Sequence, residues 1–129
     1  MLAEIKKVVS MRDLLTDVSM FISVLLPLTL YDDSISTKLV VNFQLYYMTI
    51  TNLGTEIHEE WRQRCEESKD IGCFALTELG HGSNVRGILT TATYDKKTKT
   101  FIVNTPSKKA MKFWIGGAAS TSNTSSVFA

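Results

Sequence analysis

Two stretches with different hydrophobic periods predict an α+β protein, helices first and a small sheet after. Apolar residues recur at helical steps over residues 1–67, then short runs rich in β-formers replace them beyond Lys69 and Asp70. The first of those runs breaks abruptly into a glycine-bearing polar loop, the kind of connection on which binding residues sit. With 129 residues, 44% of them hydrophobic and 21% charged, the chain is globular in composition and fits one domain or part of one.

The helical part is read first. Residues 1–18 carry Leu2, Ile5, Val8, Val9, Leu14, Leu15 and Val18 at roughly helical spacing, with charges between them. The apolar run MFISVLLPLTLY, residues 20–31, falls short of the roughly 20 residues that cross a bilayer, and Pro27 interrupts it. A secretory h-region is the rival reading. The acids Glu4, Asp13 and Asp17 upstream, and the lack of a small-x-small cleavage site, favour a buried helix bent or ended near Pro27. Asp32-Asp33-Ser34 supplies N-cap candidates. Behind them Leu39, Phe43, Tyr46, Ile50 and Leu53 recur at alternating steps, widened by Val40 and Tyr47, so this helix is expected to pack on most of its surface. Gly54 suits its C-terminal end and Thr55 the cap of the next helix, residues 56–67. That helix places Ile57, Trp61 and Cys65 on one face. Trp61 is expected in the core, and His58 is expected exposed in the first turn.

Beyond Asp70 the period is that of strands. Residues 71–76, 88–94 and 100–104 are the candidates, with the polar connector 94–100 as a hairpin turn. Thr105-Pro106-Ser107 marks a loop, and residues 112–115 and 126–129 are candidates for later strands. The best internal boundary therefore lies near Asp70, giving regions 1–70 and 71–129.

Composition excludes several functions. A net charge of +1 gives no strong pull toward nucleic acid or an anionic membrane. Lys96, Lys97 and Lys99, and again Lys108, Lys109 and Lys112, read as solvated faces, with a rim greeting the phosphates of a nucleotide-bearing ligand as the alternative. Cys65 and Cys73 fit a reducing compartment, and with His58 and His81 as the two histidines a four-ligand metal site is not expected.

The informative stretch is CFALTELGHGSNVRG, residues 73–87. Gly80 and Gly82, flanked by hydroxyl, carboxyl, imidazole and amide groups, describe backbone that approaches something closely. The loop has neither the Rossmann spacing nor the P-loop ending, so an ordinary turn between strands remains the plain alternative. Together with TTATYD and FIVNTPSKKAMKFWIGG, however, the string CFALTELGHGSN resembles the acyl-CoA oxidase family within the acyl-CoA dehydrogenase superfamily. The resemblance is firm from about Gly72 onward, and LGTEIHEEW is its best match before that.

The resemblance implies N-terminal helices followed by an incomplete antiparallel β middle domain of acyl-CoA dehydrogenase type. It implies FAD as cofactor, held by Thr77 at the flavin edge, by backbone at Gly116 and by Trp114 as an apolar wall, with Ser83 toward the acyl-CoA substrate. It implies desaturation of the acyl thioester with O2 taking the electrons as hydrogen peroxide, a peroxisomal setting and a homodimer. No catalytic residue is assigned, because the family's glutamate base belongs to a C-terminal helical domain beyond residue 129, so the chain is expected to be a partial, inactive oxidase. No peroxisomal address ends Ser126-Val127-Phe128-Ala129. Glu78 and His81 are read as hydrogen-bonding residues of the loop. Where the family continues glycine-lysine-threonine, this chain has Ala119-Ser120-Thr121, which puts cofactor or substrate affinity in question and keeps open a non-catalytic, oxidase-like binding protein.

Overall fold

Residues 10–129 are described in the computed structural model. Of the first predicted helix, Leu2, Ile5, Val8 and Val9 lie outside the described residues. What remains is α1, Met11–Thr16, capped by the Ser10 hydroxyl, which accepts from Asp13 N–H at 3.0 Å. The helix expected to reach Val18 stops early because Asp17 starts a new one: its carboxylate accepts from Ser19 and Met20 N–H at 2.9 and 3.1 Å. This second helix, α2, spans Val18–Tyr31 with Pro27 inside it, so the chain neither ends nor breaks at the proline. Nor is the helix buried. Phe21, Val24, Leu25 and Leu28 are half-buried, while Val18, Ile22, Leu26 and Leu30 form an exposed stripe at every fourth position.

Asp32 then caps α3, Asp33–Leu39, as its position predicts, accepting from Ser34 N–H at 2.9 Å. The rod continues through a π-helical stretch, Val40–Tyr47, into α4, Met48–Leu53. The wider π turn changes which residues face inward. Phe43, Tyr46 and Tyr47 are buried as expected, but Leu53 at the far end is exposed, and Asn42, absent from any apolar count, is only 7% exposed. A single 3₁₀ turn, Glu56–His58, leads into α5, Glu59–Glu66. His58 is exposed, and its Nδ1 accepts from Thr55 N–H at 3.0 Å. Of the predicted inner face of α5, only Cys65 is buried. Trp61 is exposed and lies against His58, and Ile57 points to solvent, because the 3₁₀ turn rotates them away from the rod. Met11, Leu14, Phe43, Tyr46, Tyr47 and Cys65 make the core.

The strands are β1, Gly72–Ala75; β2, Thr91–Asp95; β3, Thr100–Asn104; and β4, Thr124–Val127. β2 and β3 form the expected antiparallel hairpin, with Thr91 opposite Asn104. The β1–β4 pair runs parallel, Gly72 opposite Thr124 and Ala75 opposite Val127, because the long excursion between them brings the chain back in the same direction. Helical rod and sheet meet at β1. The Asn42 side-chain oxygen accepts from Gly72 N–H at 2.7 Å. The Tyr46 ring lies so close over Gly72 that a Cβ there would sit 1.9 Å from its Cγ. No helix among the described residues is long and apolar enough to cross a membrane.

Candidate functional site

The site grows from the end of β1. Thr77, half-buried, accepts through its carbonyl from Phe113 N–H at 3.1 Å. Glu78 and His81 then close a tight turn, with N–H to carbonyl distances of 3.3 and 3.0 Å. The N–H groups at its tip, Leu79 and Gly80, donate to the carbonyls of Met111 and Lys109, both at 2.8 Å. The two sequence motifs are thus zipped together along residues 77–80 and 109–113. Gly80 makes this possible, since a Cβ there would lie 3.0 Å from Lys109 Cβ. Gly82 differs: nothing lies within 4 Å of where its Cβ would be, leaving its backbone open.

Glu78 is the electrostatic centre of the zipper. Its side chain is fully buried, and it accepts from Leu89 N–H and Thr90 N–H at 2.9 Å, from the Thr90 hydroxyl at 2.5 Å and from Lys112 Nζ at 3.2 Å. Burial by itself would raise its pKa, but these donors outweigh it and hold the carboxyl at about 2, well below its ordinary 4.5. His81 Nε2 stands 3.5 Å from the other carboxylate oxygen. Lys112 also donates to the carbonyls of Leu76 at 3.2 Å and Phe128 at 2.7 Å, so it is turned inward and is no part of the solvated lysine face expected of it.

Past Phe113 the chain opens outward. Trp114 takes φ 61° and is 85% exposed, edge-on to Phe113 at 6.0 Å between ring centres. Gly116 is exposed, with Val41 Cγ2 at 3.6 Å from where its Cβ would be. Gly117, at φ 83°, accepts through its carbonyl from the N–H groups of Ser120, Thr121 and Ser122. Asn123 fastens the far end: its side-chain oxygen accepts from Ile71 N–H at 2.9 Å, and its Nδ2 donates to Asp70 at 3.1 Å. Asp70 is in turn gripped by the Arg64 guanidinium at 2.7 and 2.8 Å, which holds its carboxyl below the usual range. Between this strap and the helical rod lies a cavity of about 690 Å³, whose walls include Lys38, Leu39, Phe43, Ile71, Gly116 and Thr121.

The predicted site residues therefore fall into three groups. Thr77 and the Trp114 segment are brought together by backbone bonds. Gly116 follows on the same strap and opens onto the cavity. Ser83 is exposed on the other limb of the loop and is not among the cavity's lining residues. A flavin needs a flat apolar face and unshielded backbone; the exposed Trp114 indole and the open backbone at Gly82 are of that kind, while Val41 stands at van der Waals distance from Gly116. Sequence reasoning missed Lys112, Thr90 and Asn123, whose partners are distant in the chain, and the pairing of Asp70 with Arg64 six residues before it.

No protein-family model matches this chain. Curated relatives do match. A peroxisomal acyl-coenzyme A oxidase 3 of Arabidopsis thaliana is 50% identical over 100 residues, covering 77% of this chain and 15% of that protein. Over the matched residues the chain belongs to the acyl-CoA oxidase family. Peroxisomal acyl-coenzyme A oxidase 1 of Rattus norvegicus is 43% identical over 90 residues, 69% of this chain and 14% of its own length. Among solved structures, the tomato acyl-CoA oxidase superposes with a TM-score of 0.68 at 36% identity, covering 71% of this chain and 14% of that one. The Caenorhabditis elegans acyl-CoA oxidase-2, solved with FAD, ascaroside-CoA and ATP, superposes at 0.66 and 35% identity over 70% of this chain and 14% of that one. This oxidase-family chain thus spans about 15% of the length of the curated relatives it matches.

Proposed function

We propose that this chain contributes the flavin-facing part of a peroxisomal, FAD-dependent acyl-CoA oxidase, with residues 1–70 as its helical region and 71–129 as the start of its β middle domain. Bound FAD would supply the oxidation of the acyl thioester between its α and β carbons, O2 taking the electrons as hydrogen peroxide. The protein's part is position. Thr77 holds the polar edge of the ring with hydroxyl and backbone, Trp114 walls off water from one side, and Gly116 leaves its backbone free to approach from the other. Ser83 faces the acyl-CoA. No residue of this chain is assigned as the base for the α-proton, and the homodimer is carried over from the family.

The observation that supports this reading best is the zipper. The Phe113 N–H to Thr77 carbonyl bond at 3.1 Å joins two motifs far apart in sequence, each bearing a flavin-facing residue of the family. The cavity beside Gly116 is of the size ordinary for small-molecule sites, which favours a substrate nearby. A second reading, an oxidase-like binding protein without catalysis, draws on Ala119-Ser120-Thr121 standing where the family carries its lysine.

The test is titration of FAD into the full chain, followed by quenching of flavin fluorescence. Saturable binding is expected, and Thr77→Val combined with Gly116→Leu should abolish it. Undiminished binding by the double variant would remove the site assignment. Binding of FAD without any acyl-CoA-dependent bleaching in the whole oxidase would favour the second reading.

A further inference from the structure

We propose that Glu78 and Lys112 are positioning residues: their buried ion pair sets the spacing of the Thr77 and Trp114 segments, and so shapes the flavin-facing surface. The part concerning flavin rests on the function proposed above; the part concerning spacing does not.

The geometry carries the inference. Glu78 lies one residue after Thr77, and Lys112 two residues before Trp114, so the 3.2 Å pair spans the gap between the two segments beside the residues meant to face the ring. Each partner also reaches a third place. Glu78 ties down Leu89 and Thr90, the lead-in to β2. Lys112 ties down Leu76 at the end of β1 and Phe128 at the end of β4. Both sheets are thereby referred to one buried carboxylate.

Ordinary stabilisation would not require such a group, since a buried ion pair brings little net stability against its desolvation cost. What it does bring is register. An apolar pair could slide along the zipper, whereas Glu78 with four donors and Lys112 with three acceptors fit one alignment only. His81 adds an imidazole against the remaining face of the carboxylate, its side chain 11% exposed, closing the pair off from water. Backbone alone could not do this. The zipper has only three backbone bonds between its limbs, and Trp114 just beyond them sits at φ 61°, a conformation that needs its flanks held.

Amide hydrogen exchange of the full 129-residue chain reads the spacing without any flavin. In Glu78→Gln and in Lys112→Met, the amides of Leu79, Gly80 and Phe113 should exchange about tenfold faster or more, while those of the Gly72–Thr124 end of the β1–β4 ladder and of the helical core change little. Lys112→Arg, which keeps the charge and several donors, should restore most of the protection. FAD titration adds the second arm: the same two variants should weaken binding about tenfold or more, whereas Tyr47→Phe, a helical-region variant of comparable or smaller effect on stability, should leave it within about twofold. Faster exchange spread evenly over the sheet, unchanged exchange at the zipper, or no difference between Lys112→Arg and Lys112→Met would each overturn the proposal. Failure of the unaltered chain to bind FAD, with the exchange pattern as expected, would overturn the flavin reading and leave the positioning role standing. A variant too unstable to purify would be replaced by Thr90→Val, which removes one donor to Glu78 and should show the same pattern in weaker form.

Discussion

The helical region and the sheet region bury apolar and polar residues in different proportion. Inside the helices lie Met11, Leu14, Phe43, Tyr46, Tyr47 and Cys65, a mainly apolar core, with Ser36 and Asn42 as the buried polar residues beside it. Among the sheets and loops the buried residues include Asp70, Glu78 and Thr90 beside the small Cys73, Ala75 and Ala110, while Phe101, Ile102 and Val103 stand exposed on the hairpin. The first region coheres mainly by packing that has no direction. The second is fastened at points, each needing a particular donor opposite a particular acceptor. What the difference teaches is a division of labour: nonspecific packing supplies a platform at β1, and directional bonds fix where the two loops lie on it.

Truncating the platform should give the largest effect. Phe43, 2% exposed, stands on the rod in one buried cluster with Met11 and Leu14 of α1. Phe43→Ala should destabilise the chain by about 4 kcal/mol, combining lost transfer energy with an unfilled cavity. Urea unfolding followed by far-ultraviolet circular dichroism would measure it. A loss below about 1 kcal/mol would show that apolar packing does not hold the helices together.

How far each region could be read from sequence follows from the same contrast. Apolar periodicity is local, so the rod, its Asp32 cap and the Phe43–Tyr46–Tyr47 core were visible in spacing alone. The local signal failed where geometry departed from 3.6 residues per turn. The π-helical stretch turned Asn42 inward, and the 3₁₀ turn after Thr55 turned Trp61 outward. The fastening points were harder. Nothing near Lys112 distinguishes it from Lys108 and Lys109, since its acceptors Leu76, Glu78 and Phe128 arrive from elsewhere in the chain. Asn123 likewise looks like one more polar residue of a small-residue stretch until Asp70 and Ile71 are set beside it. Glu78 was legible as a hydrogen-bonding loop residue, though its partners were not. Thr77, Trp114 and Gly116 were named from resemblance alone, and the Phe113 to Thr77 backbone bond is a long-range pairing that spacing does not contain.

Acid should separate the two regions next. Glu78 holds its carboxyl at about 2 in the fold against an ordinary 4.5, and the Arg64 guanidinium holds Asp70 below its ordinary 3.8. Both shifts are downward, so between about pH 4.5 and 2 the unfolded chain binds more protons than the folded one. Stability from these groups is therefore present above that window and is lost as the pH falls through it. Urea midpoints at a series of pH values should fall across the window, and Glu78→Gln should flatten that dependence. An unaltered slope in the variant would mean that Glu78 does not carry the acid sensitivity.

The smallest expected effect tests whether a directional bond matters inside the apolar region as well. The Tyr47 hydroxyl, buried on the rod, donates to Glu66 Oε1 of α5 at 2.5 Å, and burial together with that acceptor pushes its pKa up from 10.0, keeping it a donor. Tyr47→Phe removes this bond and retains the ring packing. Glu66 is only partly buried and can turn to water, so the loss should be about 1 kcal/mol, read as a modest drop in Tm. A drop approaching that of Phe43→Ala would mean that the helical region too is fastened at points, and the contrast between the two regions would fail. A drop near zero would sharpen it, because the hydroxyl would then be no more than a satisfied group on an apolar platform.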